Sequence, residues 1–260
     1  LTGRAETAVS LIDSLASEVP LSAEHHLAIA FVAAQSGRMD AAGVELAAAR
    51  RVAHLLDAPA AVGFEIRATV IDLFLVNDRT ALVDVVSSAS GMLRDLRSGA
   101  GTSDPATVAL VQLYAGMGHA RLQDDLPGAL RLLREAAESA RVADLPALEL
   151  AALAETCVPS IAEGHLETTA LLADRLLEEA RSRGWADLRS LAPAHGYLGW
   201  LALWQGDGVR ARDLLERALS LLLPTDWGMR GLVLATLTQS RVLVGDLAGA
   251  EAAVREVMGG

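Results

Sequence analysis

The sequence predicts an all-α protein built as an array of stacked helical hairpins. Three observations carry this expectation. Ala and Leu dominate the 260 residues, which are 52% hydrophobic and only 3% aromatic; that composition favours helix. Turn residues recur along the chain at Gly3, Gly37, Asn77, Asp124, Gly164, Gly206 and Gly245, spaced 34, 40, 47, 40, 42 and 39 residues apart. Apolar residues then recur at fixed offsets after each turn.

The turn residues suit helix ends. Five are glycine, and Asn and Asp are the other residues that best tolerate a left-handed C-cap. Asp207 and Asp246 directly follow two of the glycines and are expected to cap the next helix. Five residues after the turns stand Ala8, Ala42, Leu82, Ala129, Thr169, Ala211 and Ala250. Nine after stand Ile12, Leu46, Val86, Leu133, Ala173, Leu215 and Val254, and twelve after stand Leu15, Ala49, Ala89, Ala136, Leu176, Ala218 and Val257. Offsets 5, 9 and 12 share one helical face. A small residue at the first allows close helix approach. Apolar-periodic stretches such as 24–35, 106–123 and 194–205 precede the turns, so the unit is helix, turn, helix. Residues 97–105 (RSGAGTSDP) read as a flexible insertion that explains the 47-residue spacing. Pro159 lies inside an expected helix and should kink it.

Composition narrows the function classes. The formal net charge of -11 disfavours contact with nucleic acid or an anionic membrane. No run of about 18 apolar residues suggests a membrane span. The basic residues are all arginine, as expected of a GC-rich genome, and without lysine a phosphate-binding P-loop is excluded. The histidines at 25, 26, 54, 119, 165 and 195 include one adjacent pair, and adjacent helical residues diverge by about 100°, so no metal site is expected and the rings read as solvated. Cys157 reads as a packed, inert thiol. No nucleophile elbow and no cleft-forming carboxylate pair is found. The expectation is a cytoplasmic, non-enzymatic binding module with neither cofactor nor metal.

The turn glycine, alanine at five, bulky apolar at nine and small apolar at twelve resemble the tetratricopeptide (TPR) repeat. The clearest unit is LGWLALWQGDGVRARDLLERA, residues 198–218. The resemblance implies a right-handed superhelix (solenoid) of about six TPR-like hairpins plus a leading half-repeat, as one domain spanning 1–260. Most spacings exceed the family's 34 residues, the Asn77 unit is degenerate, and HEAT-like packing stays open. The chain starts inside a repeat at Gly3 and ends without a polar capping helix, as expected of a piece of a larger protein. The longer period is similar to the helical-repeat region of large MalT-like, LuxR-type transcriptional regulators, in which an ATPase precedes the array and a helix-turn-helix follows it. That likeness implies a segment that senses a small-molecule effector. The alternative is a general TPR scaffold holding a peptide or protein partner. Exposed apolar ends would favour self-association.

In the TPR family the first helices line the concave surface, at positions 13, 10, 6, 3 and 2 residues before the turn. Carried over, these positions hold Phe31 and Gln35, then Phe64, Arg67, Ile71 and Phe74, then Tyr114 and Arg121, then Trp200 and Trp204, and finally Gln239. Six of the nine aromatic residues fall on them. One reading is a concave ligand site of Phe31, Phe64, Phe74, Tyr114, Trp200 and Trp204, with Arg67, Arg121 and Gln239 orienting a ligand. The other is a groove closed on itself, its aromatics serving as a second core.

Overall fold

The computed structural model of the protein describes residues 21–76, 78–98, 104–223 and 226–259. The leading half-repeat with its Gly3 turn, the Asn77 turn and residues 99–103 of the expected insertion lie outside these described residues. Every regular element among the described residues is a helix: α1 (Ala23–Gln35), α2 (Met39–Val52), α3 (Ala58–Leu75), α4 (Arg79–Arg97), α5 (Pro105–Leu122), α6 (Leu126–Val142), α7 (Pro146–Glu155), α8 (Cys157–Ala162), α9 (Leu166–Ser182), α10 (Ala192–Trp204), α11 (Gly208–Leu221), α12 (Trp227–Leu243) and α13 (Leu247–Gly259). Short 3₁₀ turns stand at Ala53–Leu55 and Arg189–Leu191. None of these helices is long and apolar enough to cross a membrane.

Aspartate starts many of the helices. Asp57, Asp78, Asp125, Asp207 and Asp246 each accept a bond from the backbone N–H three residues on, at 2.9, 2.9, 2.9, 3.0 and 2.9 Å. Each supplies an acceptor for a donor that the first turn leaves unpaired. The opposite ends turn on left-handed residues, with φ of +76° at Gly37, +74° at Gly164 and +80° at both Gly206 and Gly245. In the α5–α6 turn the left-handed residue is Gln123 (φ 56°), one before the expected Asp124. Two further left-handed residues, Asp144 and Gly184, close second helices.

Consecutive helices pack as hairpins, and each first helix also packs on the first helix of the next hairpin: α1 on α3, α3 on α5, α5 on α7, α7 on α10, α10 on α12. The residues at offsets 5, 9 and 12 are buried in every described hairpin through α11. In α13 the contact face is Ala250 and Ala253, while Val254 and Val257 are exposed. Two hairpins share one close approach. A Cβ on Gly116 would sit 2.8 Å from Leu133 Cγ and 3.2 Å from the Ala129 carbonyl; on Gly199 it would sit 2.6 Å from Leu215 Cγ and 3.3 Å from the Ala211 carbonyl. The first helix therefore lies flush on the second at the small residue and the leucine that the repeat supplies, and any side chain there would force the pair apart.

Candidate functional site

The first helices and the linkers between hairpins enclose a cavity of about 450 Å³. Helix α5 contributes Leu113, Tyr114, Met117, Ala120 and Arg121, and α3 contributes Phe74. Across from them stand Ala151 and Glu155 of α7, Val158 of α8, Arg189 and Ser190 of the 3₁₀ turn, Pro193 of α10, and Met229 and Leu232 of α12. Gln35, at the end of α1, and Asp226, just before α12, complete the wall. No second helix reaches it. Its size suits a small organic molecule, and its lining is mostly apolar with a few polar groups, as such sites require.

The first helix formed by α7 and α8 is broken where the sequence places Pro159. A proline ring clashes with the carbonyl four residues earlier and lacks the N–H that would bond it. That carbonyl belongs to Glu155, where α7 stops. The chain resumes as α8 through the bonds Thr156 N–H to Leu153 carbonyl (3.2 Å) and Ser160 N–H to Thr156 carbonyl (3.2 Å). The hydroxyls of Thr156 and Ser160 donate back to the Leu153 and Thr156 carbonyls at 2.6 and 2.7 Å, which bends helices further. The kink thus sets a carboxylate at the end of α7, on the cavity wall.

One charged pair inside the cavity is held by several bonds, although the Arg189 Nε stays buried without a partner among the described residues. Arg189 donates through Nη2 to Asp226 Oδ2 at 2.8 Å and through Nη1 to the Gln35 carbonyl at 2.7 Å, and the Leu223 N–H donates to the same Asp226 oxygen at 2.8 Å. The bond to Gln35 joins residues 154 apart in sequence. These bonds tie the first hairpin to the linkers before α10 and α12, and Leu223 packs beneath Gly37.

The other charged and polar groups are not so paired. Among the described residues Arg121 donates to the Leu73 carbonyl alone, at 3.3 Å. Neither the Glu155 carboxylate nor the Tyr114 hydroxyl has a hydrogen bond or ion pair among the described residues. Burial pushes the Glu155 carboxyl up to about 7; Arg121 opposes this and Asp226 adds to it. Burial, followed by the Glu155 charge, also raises the Tyr114 phenol above its usual value. A carboxylate taken from water without a partner is costly, and here it faces open space beside a phenol and a guanidinium.

The residues singled out from sequence separate into groups. Phe74, Tyr114 and Arg121 meet in the cavity. Phe31 stands behind Phe74, edge-on with ring centroids 6.2 Å apart, and Phe74 meets Tyr114 edge-on at 5.3 Å. Phe64, 1% exposed, packs with Leu27, Leu46 and Ile71 between the first two hairpins and gives the cavity no surface. Arg67 pairs with Glu24 at 2.5 Å outside it. Trp200 is half-buried against the α9–α10 core, while Trp204 is 74% exposed, its ring centroid 5.9 Å from that of Trp200. Gln239 is exposed on α12. These last three do not line the cavity.

Several cavity residues have no counterpart in the sequence reading. Leu113, Met117 and Ala120 lie 10, 6 and 3 residues before Gln123, and were passed over because the turn was placed one residue late. Glu155 offers a different signal, the one charge within the apolar run 150–162 and four residues before a proline. Arg189 and Asp226 sit in linkers, where the repeat pattern makes no assignment. Cys157 is buried, as expected, and burial followed by the Glu155 charge pushes its thiol up to about 12. The histidine expectation needs correction at His195. It is half-buried on α10, its Nδ1 has no partner, and burial, with Arg217 and Arg181 nearby, lowers it to about 4. No group of three or more potential metal ligands stands together among the described residues.

No family model matches the chain, and no curated protein matches it significantly.

Proposed function

We propose that the chain is a TPR-like sensor array of a bacterial, cytoplasmic transcriptional regulator, coiled as a right-handed superhelix, and that a small effector binds inside its central cavity. The observation that carries the reading is the cavity itself. Six first helices converge on about 450 Å³ of mostly apolar space, with a phenol and a carboxylate left unbonded in its wall among the described residues. Polar groups held unpaired in an apolar site favour a ligand that completes them. The 34- to 47-residue turn spacing and the first-helix-to-first-helix packing support the TPR-like superhelix. The bonds from Arg189 to Gln35 and Asp226 favour a compact ligand over an extended peptide. The net charge of -11 leaves DNA contact to other parts of a parent protein.

The test is a thermal-shift and calorimetric titration against oligosaccharides, short peptides and small metabolites. Ala120→Trp, which fills the cavity from α5, runs beside the wild type. A ligand that raises the melting temperature of the wild type and not of the filled variant supports the reading. A ligand bound equally by both, or no ligand in the panel, counts against it.

A further inference from the structure

The geometry points to a specific ligand class: the cavity is a site for a small amphipathic amine, whose protonated nitrogen docks on Glu155 while its apolar body lies against Phe74, Met117 and Met229. The inference rests on the cavity being a ligand site and adds the charge of what fills it.

Glu155 and its surroundings supply the argument. The carboxylate lies on the wall, at the break that Pro159 forces between α7 and α8, and the break fixes where it points. Among the described residues no donor bonds either of its oxygens. The neighbouring Asp226, by contrast, accepts from Arg189 and a backbone N–H, so its Oδ2 is already occupied. Arg121 stands nearest in charge, yet it reaches the Leu73 carbonyl and forms no ion pair with Glu155. A ligand cation would therefore find one half-buried acid with no partner among the described residues. An ammonium supplies both the counter-charge and up to three donors. The walls beyond Glu155 are sulfur-containing, aliphatic and aromatic. Methionine adapts to varied apolar shapes, and aromatic faces attract cations as well as hydrocarbon.

The acid also gives the site a pH signature. Burial pushes the Glu155 carboxyl up to about 7, and only its ionised form takes the cation. The other titratable or charged groups around it are Tyr114, Arg121, Arg189, Asp226 and, two residues on, Cys157. The phenol and thiol are raised. Asp226 is held by Arg189. Glu155 therefore dominates between pH 6 and 8, and the apparent affinity should rise about tenfold across that interval as the competent fraction grows.

Phenethylamine, its neutral counterpart phenethyl alcohol and the anion hydrocinnamate are titrated by calorimetry into the wild-type chain and into Glu155→Gln, at pH 6 and pH 8. The expected result is amine binding at pH 8, about tenfold weaker at pH 6. In Glu155→Gln, at a melting temperature no lower than wild type, binding weakens at least tenfold and its pH dependence disappears. If the alcohol or the acid binds as tightly as the amine, or the Gln variant keeps the amine, the cation assignment is overturned while the cavity survives as a ligand site. If the wild type takes none of the three, the cation assignment also falls, and the Ala120→Trp comparison decides separately whether the cavity holds any ligand.

Discussion

Two aromatic runs on the first helices have opposite fates. Phe31, Phe74 and Tyr114 come from three successive hairpins and meet edge-on at 6.2 and 5.3 Å. Tyr197, Trp200 and Trp204 come from one helix, α10, with ring centroids 6.1 and 5.9 Å apart. The first run ends in the cavity, and the second runs outward until Trp204 is mostly in water. What differs is what stands opposite. The phenylalanine run faces Glu155, Arg189 and Met229, residues brought from far along the chain. The tryptophan run has its own core on one side and solvent on the other. An aromatic residue at a concave-surface position thus becomes part of a site only where distant helices close over it.

The largest expected effect that tests this comparison is Phe74→Ala. The ring couples α1, α3 and α5, and its loss should lower stability by about 3–4 kcal/mol, read from the denaturant midpoint. A loss under about 1 kcal/mol would mean that the run is not a packed unit.

The pH dependence comes next and separates the same two regions. Glu155 is raised by burial on the cavity side, so its stabilising effect is full below its unfolded value near 4.5 and is lost as pH rises through about 7. His195, on the same helix as the tryptophans, is lowered to about 4, so its effect is full above about 6.5 and is lost as pH falls towards 4. In urea melts at pH 8, Glu155→Gln should therefore be more stable than the wild type by about 2–3 kcal/mol, with the difference vanishing near pH 4.5. His195→Gln should flatten the acid limb alone. Equal pH slopes in all three proteins would remove both assignments.

The smallest expected effect is Trp204→Ala. An exposed ring with solvent over it should change stability by less than about 0.5 kcal/mol and leave cavity binding intact. A larger loss, or lost binding, would place the outer run in the site after all.

The helical repeat was legible because its signals are local. Asp207 and Asp246 start helices where an aspartate follows a glycine, since capping needs only the first turn. The offsets of 5, 9 and 12 bury their residues because one face of each second helix meets its own first helix, a contact that lies within about 40 residues. Pro159 broke its helix where backbone chemistry required. The α5–α6 turn was misplaced by one residue because Gln123 adopts a conformation that glycine usually marks.

The cavity was only partly legible. Phe74 and Arg121 carried a repeat position that pointed there, while Tyr114, nine residues before Gln123, was reached only through the misplaced turn; Phe64 and Trp204 carried the same kind of position and did not arrive. The sequence by itself determined the helices, most of the hairpin turns and the kink. Tertiary structure alone decided which faces meet across the interior, because that depends on how successive hairpins add their small rotations, a sum that no local pattern encodes. It placed Gln35 against Arg189, 154 residues away, and left Glu155 facing the cavity without a partner, since whether a charge is paired depends on the neighbours that folding delivers.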